Sequence, residues 1–134
     1  MALTEQAQKL LEQIRRAERY PVVRLELRST KDKALISTAL PDVHLNTAQD
    51  TMDEVKARAA SLKELERGGY IRIQYSLFVT VSADYAVYYQ SDIFKLLSAM
   101  VEDGKKREDF LFDTPFIKRG RVVLTSCGLD CAGT

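Results

Sequence analysis

The chain has 134 residues, 46% hydrophobic and 29% charged, the balance of one globular domain with enough apolar side chains for a core. Its 20 basic and 19 acidic side chains leave a net charge of +1, which excludes a global field drawing the protein to nucleic acid or anionic lipid, so any anion site must be local. No stretch approaches the roughly 18 apolar residues of a membrane span, and the start lacks a basic segment followed by an apolar run, so a cytoplasmic protein with no membrane partner is expected.

Thr4 can cap a first helix, with Glu5 in the first turn and Leu3, Ala7, Leu10, Leu11, Ile14 and Ala17 on one face. Arg15, Arg16 and Arg19 suit the negative end of its dipole, and Pro21 stops it after Tyr20. Val23, Leu25 and Leu27 then alternate with Arg24, Glu26 and Arg28, the period-two pattern of a strand with one buried face. A polar turn at 29–33 leads into 34–40, which reads either as a strand closing a hairpin on 22–28 or as a short helix, and Pro41 ends it.

Asn46 or Thr47 can cap the long helix that follows, with Asp50, Asp53 and Glu54 at its positive end. Met52, Val55, Ala59, Leu62 and Leu65 recur at three- and four-residue steps, and Gly68 supplies a left-handed cap. Alternation from Tyr70 to Val81 predicts a strand, 82–84 a turn, and Tyr85, Val87 and Tyr89 a second, antiparallel strand. Ser91 opens a helix carrying Ile93, Phe94, Leu96, Leu97, Met100 and Val101 inward, closed by Gly104. Phe110, Phe112, Phe116 and Ile117 must dock on the domain or on a partner, and 122–124 reads as a short last strand. One domain over 1–124 with a flexible tail at 125–134 is expected.

The junction Leu62, Leu65, Glu66, Gly69, Tyr70, Ile71, together with the element order over residues 3–90, resembles the winged helix-turn-helix superfamily. The resemblance implies an α+β, winged-helix-like fold, helices packed on a small antiparallel sheet, with an additional C-terminal helix and strand. In it 34–40 would be the first helix of the helix-turn-helix, 46–67 the recognition helix and 70–90 the wing. The helix at 92–103 would serve a homodimer. The other arrangement open to these residues is α+β with a hairpin at 22–40.

Under that resemblance the protein is a DNA-binding transcriptional regulator, touching double-stranded DNA with Gln49, Lys56, Arg58 and Arg72. The charge pattern does not favour that surface: 47–67 holds four basic and five acidic residues, and 82–84 has no Lys or Arg. Basic residues gather instead before residue 34, eight against five acids, and at Lys118, Arg119 and Arg121. The alternative function is a non-enzymatic interaction or dimerisation module, with Tyr88, Phe94, Phe110 and Phe112 at its interface.

Other chemistry is thinly represented. Cys127 and Cys131, the two cysteines, are four residues apart without a repeat of the pair, so they read as tail thiols of a reducing compartment rather than a metal site. His44 is the single histidine and reads as a packing residue, and Asp50, Asp53 and Glu54 as helix-start acids. With no phosphate loop, serine elbow or metal motif, neither an enzyme nor a cofactor is expected. Tyr75, Tyr85, Tyr88 and Tyr89 have the chemistry of a stacking platform for single strands, but read as core or interface packing.

Overall fold

A computed structural model describes residues 3–75, 81–107 and 111–130. The elements are α1 (Glu5–Arg16), β1 (Pro21–Arg28), β2 (Ile36–Val43), α2 (Met52–Arg67), β3 (Ile71–Gln74), α3 (Ser82–Tyr89), α4 (Asp92–Gly104), β4 (Thr114–Leu124) and α5 (Ser126–Asp130). The fold is α+β: helices lie on a four-stranded antiparallel sheet of order β2-β1-β4-β3.

Local chemistry sets most helix starts. The side-chain oxygens of Thr4, Thr51 and Ser91 accept from Ala7 N, Glu54 N and Phe94 N, capping α1, α2 and α4. The cap of α2 is therefore Thr51, not Asn46 or Thr47. Those two residues form a preceding turn in which Asn46 N and the Thr47 hydroxyl donate to Asp50. At the other end it is Gly69, with φ 81°, that takes the left-handed conformation, whereas Gly68 stays helical.

The central pairing joins β1 to β4 in an unbroken register from Pro21↔Arg121 to Arg28↔Thr114. Side chains of paired residues share a face. On one face Val22, Val122 and Ile71 pack under α1 (Ala7, Leu10, Leu11, Ile14) and the C-terminal half of α2 (Leu62, Leu65). On the other, Val23, Leu25 and Ile117 pack with Val55 of α2, Tyr85 and Tyr88 of α3, and Ile93 and Leu97 of α4. The hairpin partner β2 carries register shifts near Leu25 and a left-handed Asp42, φ 56°.

Several expectations need correction. Of the open run 34–40, residues 36–40 are strand: Ile36 and Thr38 suit an edge strand, and the turn before them is held by Ser29 Oγ accepting from Lys31 N and Asp32 N. The helix that the winged-helix resemblance requires is not formed there. Residues 82–89 are helix, not turn and strand, because the buried tyrosines are Tyr85 and Tyr88, three apart on one helical face, rather than the alternating 85, 87 and 89. The wing hairpin is thus not made by 85–89; β3 pairs with β4, and the rest of the strand expected over 70–81 lies mostly outside the described residues. The short last strand is the end of the eleven-residue β4. Residues 126–130 of the expected tail form α5, tied down by Thr125, whose hydroxyl donates to Gly69 O at 2.5 Å and whose N–H donates to Tyr70 O at 3.1 Å.

Candidate functional site

The β1–β4 register gathers the basic residues. Val22 lies under the helices and its partner Gly120 under the Tyr75 ring, and the next positions on the same face are Arg24↔Lys118, Glu26↔Phe116 and Arg28↔Thr114. Among the described residues, no helix contributes to a buried cluster over this half of the face. Glu26, only 3% exposed, is the anchor: its Oε1 accepts from Arg28 Nε at 3.0 Å and Nη2 at 2.6 Å, and Arg24 Nη1 stands 3.8 Å from its Oε2. A buried carboxylate in this setting needs such partners, and they in turn fix where both guanidinium groups sit.

Each guanidinium also lies over a ring. Arg28 Cζ is 3.7 Å from the Phe116 centroid and Arg24 Cζ 4.3 Å from that of Tyr75. Tyr75 is held from below, where its hydroxyl donates to Asp42 Oδ1 at 2.8 Å and accepts from Asp42 N at 2.9 Å. Burial, then the Asp42 carboxylate, push its phenol well above the ordinary range. Lys63 Nζ closes the chain, 3.1 Å from Asp42 Oδ2 and 3.4 Å from Glu66 Oε1, and its ammonium is held above the usual range first by the Asp42 contact. The tilt of Tyr75 over the sheet requires glycine at 120, where a Cβ would meet the ring at 2.6 Å.

Lys118 is different: its ammonium has no partner among the described residues. Arg24 and Arg28 share the Glu26 carboxylate and Lys118 rises beside Arg24, which leaves this face with a local positive excess that the overall charge conceals. Phe116 is 37% exposed beside them, and an open depression of about 510 Å³ wraps the β4 edge here, bordered by Arg28, Tyr75, Phe116 and Lys118 on this face and by Tyr89, Phe94 and Arg119 on the other. Chemically the face can hold an anion and offer planar groups for stacking.

A second polar cluster is internal. The Pro21 carbonyl accepts from Tyr88 Oη at 2.9 Å and lies 2.6 Å from His44 Nδ1, while Tyr20 stacks on the His44 ring with centroids 3.7 Å apart. Arg58 donates to the His44 carbonyl and, at 3.1 Å, to Asp50 Oδ2. Burial pushes the His44 imidazole down to about 4, against the pull of the Pro21 carbonyl. Burial alone would raise the Asp50 carboxyl, but hydrogen bonds from Asn46, Thr47 and Arg58 outweigh it and hold it below the ordinary value. This cluster knits the β1 entry, the β2–α2 loop, α2 and α3 together and faces the interior.

The residues expected to touch DNA do not converge. Gln49 and Lys56 are exposed at the start of α2 and Arg72 is exposed on β3 beyond its end, separated by a helix about 24 Å long. Arg58 is 13% exposed and committed to His44 and Asp50. Among the expected interface residues, Tyr88 is core, its hydroxyl also accepting from Leu45 N at 3.4 Å. Phe94 is half-buried edge-on to Tyr89, Phe112 is half-buried, and Phe110 lies outside the described residues. Cys127 is exposed on α5, and Cys131 lies outside the described residues.

Among the described residues no group of three or more His, Cys, Asp or Glu side chains could hold a metal ion, and no helix is long and apolar enough to cross a membrane. Comparison with models of known protein families, with curated proteins and with solved structures finds no match.

Proposed function

We propose that this chain is a non-enzymatic nucleic-acid-binding module that meets its ligand with the uncovered half of its sheet. The observation that carries the reading is the convergence of Arg24, Arg28 and Lys118 on one face of β1 and β4, next to exposed Phe116. A polyanion is attracted by such a local excess even when net charge is near zero. A winged-helix regulator would read DNA with α2, but that helix begins in acidic residues, its Arg58 is spent internally, and strand and helix occupy 36–40 and 82–89. The nucleic-acid contact is therefore better supported on the sheet.

Fluorescence anisotropy with labelled mixed-sequence DNA, titrated with salt, tests this reading. Binding should appear at low salt and weaken on a log–log plot with a slope of roughly −2 to −3 for about three phosphate contacts. Lys118→Glu should weaken it strongly and Lys56→Glu little. Absence of binding at low salt, or loss with Lys56→Glu but not Lys118→Glu, defeats it.

A protein-interaction module is the second reading. It is favoured by an apolar groove of about 160 Å³ between β2, α2 and α4, bordered by Leu40, Met52, Ile93, Leu96 and Met100. Leu96 is 58% and Met100 49% exposed on α4, an apolar stripe without a cover among the described residues. If that stripe joins two copies, sedimentation will show a dimer that Leu96→Glu dissociates; a monomer at every concentration removes the homodimer.

A further inference from the structure

We propose that the ligand of the sheet face is single-stranded nucleic acid, with phosphates at the Arg24/Lys118 pair and a base stacked on the adjoining Arg28–Phe116 pair. This rests on the sheet-face reading above and narrows its ligand.

The spacing comes from the strand register. Arg24 and Lys118 are directly paired, so their Cα atoms are about 5 Å apart and their side chains rise from one place. Arg28 is four residues further along β1, its Cα roughly 13 Å away at a strand rise of about 3.3 Å per residue, but both guanidinium groups turn in toward Glu26, with Arg24 Nη1 3.8 Å from its Oε2 and Arg28 Nη2 2.6 Å from its Oε1, so the charges stand closer together than the Cα atoms. Phe116, paired with Glu26, lies under the Arg28 guanidinium, its ring centroid 3.7 Å from Cζ. A few nucleotides of a single strand can set their backbone on Arg24 and Lys118 and one base over the adjoining Arg28–Phe116 pair. The Arg28 guanidinium is suited to receive the base because it is already over the Phe116 ring and tied by two N–H groups to Glu26, so little side-chain freedom is lost on stacking. Nothing about such stacking selects one base, since each offers a π face.

Duplex fits this face less well. Reading B-form DNA takes a helix or a two-stranded ribbon that enters the major groove. The three cations sit instead on β1 and β4, the two central strands, with β2 beside β1, and the other half of the same face is roofed by α1 and α2. Bases paired inside a duplex cannot reach a ring at that level, whereas unstacked bases can.

The test uses the full chain and three probes: a labelled mixed-sequence single strand in DNA and RNA form, the same DNA as a duplex, and inorganic polyphosphate as a competitor without bases. Either single strand should bind at least about tenfold tighter than the duplex, the size of a single stacked base. Phe116→Ala should weaken single-strand binding by about tenfold and leave polyphosphate competition unchanged; Phe116→Leu, which keeps apolar packing but removes the π face, should do the same if the alanine variant does not fold. Lys118→Glu should weaken both probes, because it reverses the charge of a side chain with no partner among the described residues. Equal affinity for single strand and duplex, or indifference to both Phe116 variants, overturns the single-strand inference while leaving the nucleic-acid reading in place. No binding of any probe at low salt overturns both.

Discussion

His44 gives the protein a pH dependence with a readable sign. Its imidazole is buried against Tyr20 with its pKa lowered from 6.5 to about 4, so the unfolded chain takes up a proton at a pH where the folded chain does not. Stability contributed by the neutral ring is complete above 6.5 and is lost as pH falls from there to about 4, by up to roughly 3 kcal/mol. Urea midpoints measured across this window should fall, and His44→Phe, which keeps an aromatic ring beside Tyr20 and leaves Tyr88 on the Pro21 carbonyl, should flatten the slope. Depressed Asp50 adds its own loss only below the ordinary carboxylate range, with the same sign but a separate window. A midpoint as pH-dependent in His44→Phe as in the parent would mean that another group titrates there. At the same scale, Gly120→Ala puts a Cβ 2.6 Å from the Tyr75 ring and 2.7 Å from Gln74 O. The backbone oxygen cannot step aside as a side chain can, so a cost of about 1–3 kcal/mol is expected in the same denaturation assay.

The elements divide by whether their cause is local. The helices α1, α2 and α4 were legible because a capping Ser or Thr and an i, i+3, i+4 apolar stripe lie within a few turns of one another. The helix α3 was not, since in Asp84-Tyr-Ala-Val-Tyr-Tyr89 all five residues after Asp84 are apolar or aromatic and fit either period, and only the burial of Tyr85 and Tyr88 against β1 and β4 chooses the helix. The run at 34–40 likewise needed its partner β1 before its period had meaning, and its edge position leaves most of it exposed. The candidate site was half visible. The alternation of Val23, Leu25 and Leu27 with Arg24, Glu26 and Arg28 announced a basic strand face, and 118–121 announced a second basic group. Their meeting depends on a pairing between chain segments at opposite ends of the sequence, which no local pattern encodes. The tyrosine hydroxyls of α3 make a test at this scale. Tyr88→Phe removes the bond to Pro21 O and leaves Leu45 N without its acceptor, so it should lower stability by about 1–2 kcal/mol with the core volume unchanged.

At the scale of the whole molecule, α2 is the member that joins the two cores. Its Val55 packs with α3 and α4 on one side of the sheet while Leu62 and Leu65 pack with α1 on the other. The buried cluster of His44, Asp50 and Arg58 fixes its first turns, and Lys63 and Glu66 tie its last turns to Asp42 and Ile73. The stretch that suggested a recognition helix thus has Arg58 near its start and Lys63 and Glu66 near its end committed to internal contacts, which leaves the sheet as the better-placed surface to present charge outward. A single helix shared by both cores should also make them unfold together. Leu65→Ala is expected to cost about 2–5 kcal/mol and Val55→Ala roughly 2 kcal/mol, each leaving an uncollapsed cavity in a fully buried site. Urea unfolding followed by tyrosine fluorescence, which reports Tyr85 and Tyr88 in one core and Tyr20 in the other, should coincide with unfolding followed by circular dichroism in the parent and in both variants. The two substitutions lie about 15 Å apart along the helix, so the double variant should lose close to the sum of the single losses. Tyrosine and backbone signals that separate in Val55→Ala but not in Leu65→Ala would mean that the two faces of the sheet melt independently, and that α2 packs on both without coupling them.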